Sequence, residues 1–111
     1  MKETLYKLTV FVPVESGDTV KKSMFDAGAA RIGNYDCCSF ETLGKGQFRP
    51  LENSNPYLGT KNKIEKVEEL RIEMVCKESF LLNVIDEMKK AHPYEEVAYD
   101  IIKLFNEKDL R

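Results

Sequence analysis

Residues 67–100 read VEELRIEMVCKESFLLNVIDEMKKAHPYEEVAYD. The stretch divides into three parts with three different physical patterns. In Val67–Lys77, Leu70, Ile72, Met74 and Cys76 alternate with Glu69, Arg71, Glu73 and Val75, a period of two that predicts a strand with one buried and one mostly wet face. Ser79 then offers a cap, and Leu81, Val84, Ile85 and Met88 fall at i, i+3, i+4 and i+7, predicting an amphipathic helix. Lys89 and Lys90 occupy its last turn, where the helix dipole favours cations. Pro93 has no N–H to continue the helix and disfavours a helical conformation in the residue before it, so the helix is expected to stop by His92. Val97–Leu104, rich in β-branched and aromatic residues, reads as another strand.

The N-terminal half repeats this order. Leu8, Val10 and Val12 alternate with Lys7, Thr9 and Phe11, predicting a strand over Leu5–Val14 whose second face is partly apolar at Phe11. Ser16-Gly17-Asp18 supplies turn and cap chemistry, Val20, Met24 and Ala27 follow at helical spacing, and Gly28 suits a helix stop. Ala29–Asn34 reads as small and flexible. Tyr35–Leu43 reads as a strand with Cys38 and Phe40 on one face and Ser39 and Glu41 on the other, ended by a turn at Gly44-Lys45-Gly46, with Gln47-Phe48-Arg49 returning briefly as strand. Residues 50–63 have the composition of a long loop. Such loops in compact domains are usually functional or mobile, and Phe48, Arg49, Tyr57 and Leu58 are not what a pure linker carries. The tail from Asn106 to Arg111 is polar and expected to fray.

The resulting order, strand–helix–strand–loop–strand–helix–strand, predicts an α+β, ferredoxin-like βαββαβ sandwich, an antiparallel sheet with two helices on one face. Thr9, Phe11, Glu41, Glu73, Arg71 and Val75 are expected on the other face, a mixture suited either to solvent or to another subunit. At 111 residues, 42% hydrophobic and 32% charged, the chain is long enough for one core and too apolar for disorder, so 1–111 is expected to be a single domain. A formal charge of −2 argues against nucleic-acid binding, which rests on Lys and Arg facing phosphates. No apolar run is long enough to span a bilayer and Met1-Lys2-Glu3-Thr4 begins no signal peptide, so a cytoplasmic protein that does not engage membranes is expected. Cys37, Cys38 and Cys76 are then reduced. The adjacent pair, which lacks the C-x-x-C spacing of zinc and redox sites, is expected to point to opposite faces of a strand.

His92-Pro93-Tyr94-Glu95-Glu96 gathers the single histidine, a phenol and two carboxylates at a helix-to-strand turn, where side chains reach the end of a sheet. Together with Phe11-Val12-Pro13, Gly33-Asn34-Tyr35, Cys38-Ser39-Phe40, Gly44, Gly46, Phe48-Arg49-Pro50, Asn55-Pro56, Gly59 and Val97-Ala98-Tyr99-Asp100, this motif resembles the YqfO or Nif-three-like family. The likeness is to the domain inserted into those proteins, here standing alone, and runs from about Tyr6 to Leu104. It implies a CutA/PII-like fold, a homo-oligomer with a trimer favoured, a loop, here roughly Gly44–Lys63, that contacts partners, and small-ligand sites in clefts between subunits. The two-metal site of the surrounding domain needs several histidines, and one histidine does not supply it.

Three functions follow as expectations. The first is a non-catalytic small-ligand-binding or regulatory module, with Asn34, Tyr35, Cys38, Phe48, Arg49, His92, Tyr94, Glu95 and Glu96 as the ligand-binding residues. There Arg49 serves as an anion clamp and Tyr35, Phe48 and Tyr94 form apolar walls. The second is a divalent-metal site in which His92 joins Glu95 or Glu96 and a thiol such as Cys38. The third is an enzyme with His92 as base beside Glu95, or Cys38 as nucleophile paired with His92. No motif marks an activated nucleophile or an oxyanion hole, so the expectation leans away from catalysis and assigns no catalytic residue, no metal ligand and no cofactor.

Overall fold

In the computed structural model residues 3–111 are described; Met1 and Lys2, read above as part of a leaderless N-terminus, lie outside them. The alternating segments form four strands, β1 (Leu5–Pro13), β2 (Ser39–Phe48), β3 (Glu65–Lys77) and β4 (Tyr99–Lys103). The two helical patterns form α1 (Gly17–Asp26) and α2 (Glu78–Ala91). The strands make one antiparallel sheet in the order β2-β3-β1-β4, the ferredoxin-like arrangement. Leu8 faces Met74 and Val10 faces Ile72 across β1 and β3, so the alternating apolar residues of both strands share a face. That face packs on Val20 and Met24 of α1 and Val84, Ile85 and Met88 of α2, which form the buried core. His92 caps α2 in an extended conformation, φ −75° and ψ 137°, as Pro93 requires.

The structure corrects several expectations. Gly44-Lys45-Gly46 is not a turn. β2 runs straight through it, with Gly44 opposite Glu69 and Gly46 opposite Val67. A β-carbon at Gly46 would collide with the Glu69 carboxylate, so the glycine marks a close approach across the ladder rather than a reversal. The real turn lies earlier, at Gly33-Asn34. Ile32 and Tyr35 exchange two backbone hydrogen bonds of 2.9 Å around it, and Gly33 takes φ 55°, the glycine-first pattern of a two-residue hairpin. Tyr35–Cys38 therefore precede β2. Cys37 sits at φ 54°, outside any strand, and the two cysteines do not straddle a sheet.

Ala29 and Ala30 are not flexible. Both are fully buried, and the Ala30 N–H donates to the Val75 carbonyl at 2.8 Å. Glu41 belongs to the helix face, where it accepts from Lys21 of α1 at 2.7 Å. α2 starts at Glu78, one residue before the expected cap. The Ser79 N–H is satisfied by the Glu3 carboxylate at 2.8 Å and the Glu78 N–H by the Thr4 carbonyl at 2.9 Å. β4 begins at Tyr99 rather than Val97. The tail closes a short 3-10 turn, Glu107–Leu110, held by an Asn106–Asp109 capping box.

Candidate ligand-binding cleft

Four segments meet at one end of the sheet. β1 contributes Phe11 and β3 contributes Glu69, both on the face turned away from the helices. β2 ends there at Phe48 and passes into Arg49 and Pro50. The turn after α2 brings Tyr94, Glu95 and Glu96. Between β2 and β3, residues 49–64 fold back on themselves. The Asn62 N–H donates to the Pro50 carbonyl at 2.6 Å, and the Asn62 side chain donates to Glu52 at 2.5 Å. The Glu95 carboxylate ties this loop to the α2–β4 turn by accepting the Asn55 N–H at 2.9 and 3.1 Å through its two oxygens. The cleft between them, open to solvent on one side, has a volume of about 370 Å³. Its walls are mainly apolar, with Pro56, Tyr57 and Leu58 contributed by the loop.

Tyr94 is the centre of the wall. Its ring lies 5.7 Å from that of Phe48, 6.2 Å from Tyr57 and 5.1 Å from the His92 imidazole, tilted in each case. Its hydroxyl is buried and makes no hydrogen bond of good geometry among the described residues, although the Glu69 carboxylate lies near it. Burial first, and the nearby negative charge of Glu69 second, push its ionisation well above the usual phenol range, so Tyr94 is a neutral phenol.

His92 stands behind this wall, only 6% exposed. Its Nε2 lies 2.7 Å from the Phe11 carbonyl, and its Nδ1 accepts the Tyr94 N–H at 3.1 Å. A carbonyl only accepts, so Nε2 carries the proton and Nδ1 does not: the ring is a neutral imidazole with both nitrogens engaged. Burial lowers its pKa from 6.5, opposed by the Phe11 carbonyl and the charge of Glu69. The histidine thus locks the turn to β1 and aims Tyr94 into the cleft.

Of the nine expected ligand-binding residues, Phe48, Arg49, Tyr94, Glu95 and Glu96 line this cleft and His92 supports it. Asn34, Tyr35 and Cys38 do not reach it. They sit on the connection before β2, at the other end of that strand. There Cys38 lines a separate depression with Lys7, Phe40 and Glu73, and Tyr35 is 76% exposed. Cys38 and His92 are therefore not a pair, and among the described residues no three candidate metal ligands come together. Phe11 and Glu69 were not expected at the site. The signal for Phe11 was the apolar residue on an otherwise polar strand face. For Glu69 it was the pair of glycines in β2, read as a turn.

No family model matches the chain. It is 48% identical over 105 residues to the GTP cyclohydrolase 1 type 2 homolog of Halalkalibacterium halodurans, covering 95% of this chain and 28% of that protein. With the homolog of the same name from Bacillus subtilis it shares 44% over 99 residues, 89% of this chain and 26% of that one. The chain thus spans between a quarter and a third of the length of these curated relatives. Among solved structures, a Bacillus cereus protein related to NIF3 matches with a TM-score of 0.81 and 45% identity, over 94% of this chain and 26% of that one. The periplasmic divalent cation tolerance protein CutA from Archaeoglobus fulgidus matches with a TM-score of 0.66 over 92% of this chain and 85% of its own, at 18% identity, a likeness of fold alone. Over nearly its whole length the chain resembles one segment of the NIF3/YqfO family, a segment that has the CutA-like ferredoxin fold.

Proposed function

We propose that the chain is a non-catalytic small-ligand-binding or regulatory module, acting as one unit over residues 1–111 and as a homo-oligomer with a trimer favoured. The observation that carries this reading is the cleft between the 49–64 loop and the His92–Glu96 turn. It is preformed within one chain, walled by aromatic rings, and fitted with a few polar groups, as small-molecule sites are. Phe48, Arg49, Tyr94, Glu95 and Glu96 are its ligand-facing residues, with Phe11, Tyr57 and Glu69. His92, held at both nitrogens, is a positioning group and not a base. The oligomer draws support from the likeness to CutA and from large apolar side chains left exposed on the sheet, Phe40 at 69% and Ile102 at 54%. A cytoplasmic location accords with the thiols and with the absence, among the described residues, of a helix long and apolar enough to cross a membrane.

The alternative, a divalent-metal protein, has the names of the CutA neighbours in its favour. It has less support from the geometry, because His92 offers no free nitrogen and the thiols are remote from Glu95 and Glu96.

Native mass spectrometry of protein purified without chelator tests the reading. The expected spectrum is an oligomer carrying a bound organic mass that is absent from Tyr57→Ser, a variant of a half-exposed residue that leaves the core intact. A bare protein in both preparations, or the same bound mass in both, rejects the cleft as the site. A metal-sized increment would favour the alternative.

A further inference from the structure

The cleft is unbalanced in charge. Three carboxylates, Glu69, Glu95 and Glu96, line it against one cation, Arg49. Glu95 is occupied by the Asn55 N–H. Glu69 is half-buried and forms no ion pair among the described residues, although its carboxylate is pressed against the backbone at Gly46. Arg49 is exposed at the rim. An anion entering here meets one guanidinium and three carboxylates, so the anion-clamp role expected of Arg49 is disfavoured by the charges around it.

The rings point the same way. Phe48 and Tyr57 pack against Tyr94 at 5.7 and 6.2 Å, inclined by 60° and 52°, and all three rings line the cleft. The face of each ring carries partial negative charge, and a weakly hydrated cation within about 6 Å of such faces is attracted to them. Hard metal ions need several converging oxygens instead, and these walls are mostly carbon.

We propose that the cleft binds a small organic cation, an ammonium or quaternary ammonium head on an apolar body, caged by Phe48, Tyr57 and Tyr94 and neutralised by Glu69. This rests on the cleft being the ligand site. The cationic head sits against the rings near Glu69. The apolar body lies along Phe11, Pro56 and Leu58. Glu95 holds the loop in place, and Arg49 at the rim disfavours a second positive charge on the ligand.

Three probes of one shape decide it by calorimetry and chemical-shift titration of the whole chain: choline, the neutral 3,3-dimethyl-1-butanol and the anionic 3,3-dimethylbutanoate. The expected result is saturable choline binding with the alcohol and the carboxylate each weaker by about 10-fold or more, the scale of a desolvated cation–π and charge contribution. Glu69→Gln and Tyr57→Ser should each weaken choline by about 10-fold while leaving the thermal midpoint unchanged. If the alcohol or the carboxylate binds the cleft as tightly as choline, the cation preference is overturned and the ligand site stands. If none of the three binds, the cation inference falls, and the bound mass seen by native mass spectrometry still decides the ligand site independently.

Discussion

Two side chains at the helix-to-strand turn show how a residue is placed by physics before it has a task. His92 is buried with its two nitrogens in opposite roles, donor to the Phe11 carbonyl and acceptor from the Tyr94 N–H. Protonation would turn Nδ1 into a donor facing a donor, and burial already lowers the folded-state pKa below 6.5. The unfolded chain takes up this proton at higher pH than the folded chain. Stability is therefore fully present above about 6.5, falls as pH drops toward the folded pKa, and levels off below it. Urea unfolding at pH 8 and pH 5 should show the native chain losing more stability than His92→Gln across that interval. Equal losses would mean the imidazole is not held neutral. Tyr94 gives the opposite expectation. Its buried hydroxyl makes no hydrogen bond of good geometry among the described residues, so Tyr94→Phe removes a polar atom whose burial is poorly compensated. Unfolding midpoints should show stability unchanged or raised by about 1 kcal/mol. A loss greater than that would mean the hydroxyl is bonded in solution.

Among the elements, β1, β3, α1 and α2 were legible because each has one face dry and one wet, which writes a period of 2 or 3.6 into the sequence. β2 was misread because its pattern is weak. It is an edge strand, most of its side chains are exposed, and two glycines imitate a turn. At Gly46 the glycine makes space for a carboxylate from the neighbouring strand, a requirement visible only once the register is known. Gly46→Ala needs only the far end of Glu69 to swing away, so stability should stay within about 0.5 kcal/mol of the native chain while choline binding weakens. Normal binding in that variant would show that the Glu69 position is immaterial. The Glu95 carboxylate is the side-chain hydrogen-bond acceptor that ties the 49–64 loop to another element. Glu95→Ala removes the acceptor of the Asn55 N–H, at a cost of about 1 kcal/mol or less because the contact is exposed. Hydrogen exchange should quicken in residues 50–63 and remain unchanged in β1 and β3.

For the whole molecule, five of the eight ligand-facing residues were expected from the sequence, and Phe11, Tyr57 and Glu69 were not. His92-Pro93-Tyr94-Glu95-Glu96 and Phe48-Arg49 stand out because chemistry is concentrated over a few residues at predicted chain reversals. Phe11 and Glu69 are single members of alternating strands, and nothing local distinguishes them from their neighbours. Only the strand order β2-β3-β1-β4 carries them to the same end of the sheet. The same order leaves β2 and β4 as edges, with unpaired backbone groups beside exposed apolar side chains: Phe40, Leu43 and Ile64 on one side, Ile102 and Phe105 on the other. Such edges and patches invite a second copy. Phe40 lies on the face turned from the helices, opposite Glu73. Phe40→Asp places a second carboxylate there without touching the core. Leu82, 71% exposed on α2, is the matched control on the opposite side of the molecule. Sedimentation should show that Phe40→Asp reduces the oligomer to monomer while Leu82→Asp leaves it intact, with similar thermal midpoints for the isolated subunits. If both variants sediment as the native protein does, the open sheet face is not the contact. If Leu82→Asp alone dissociates, association runs through the helices, and the ligand cleft then lies on the outside of the assembly.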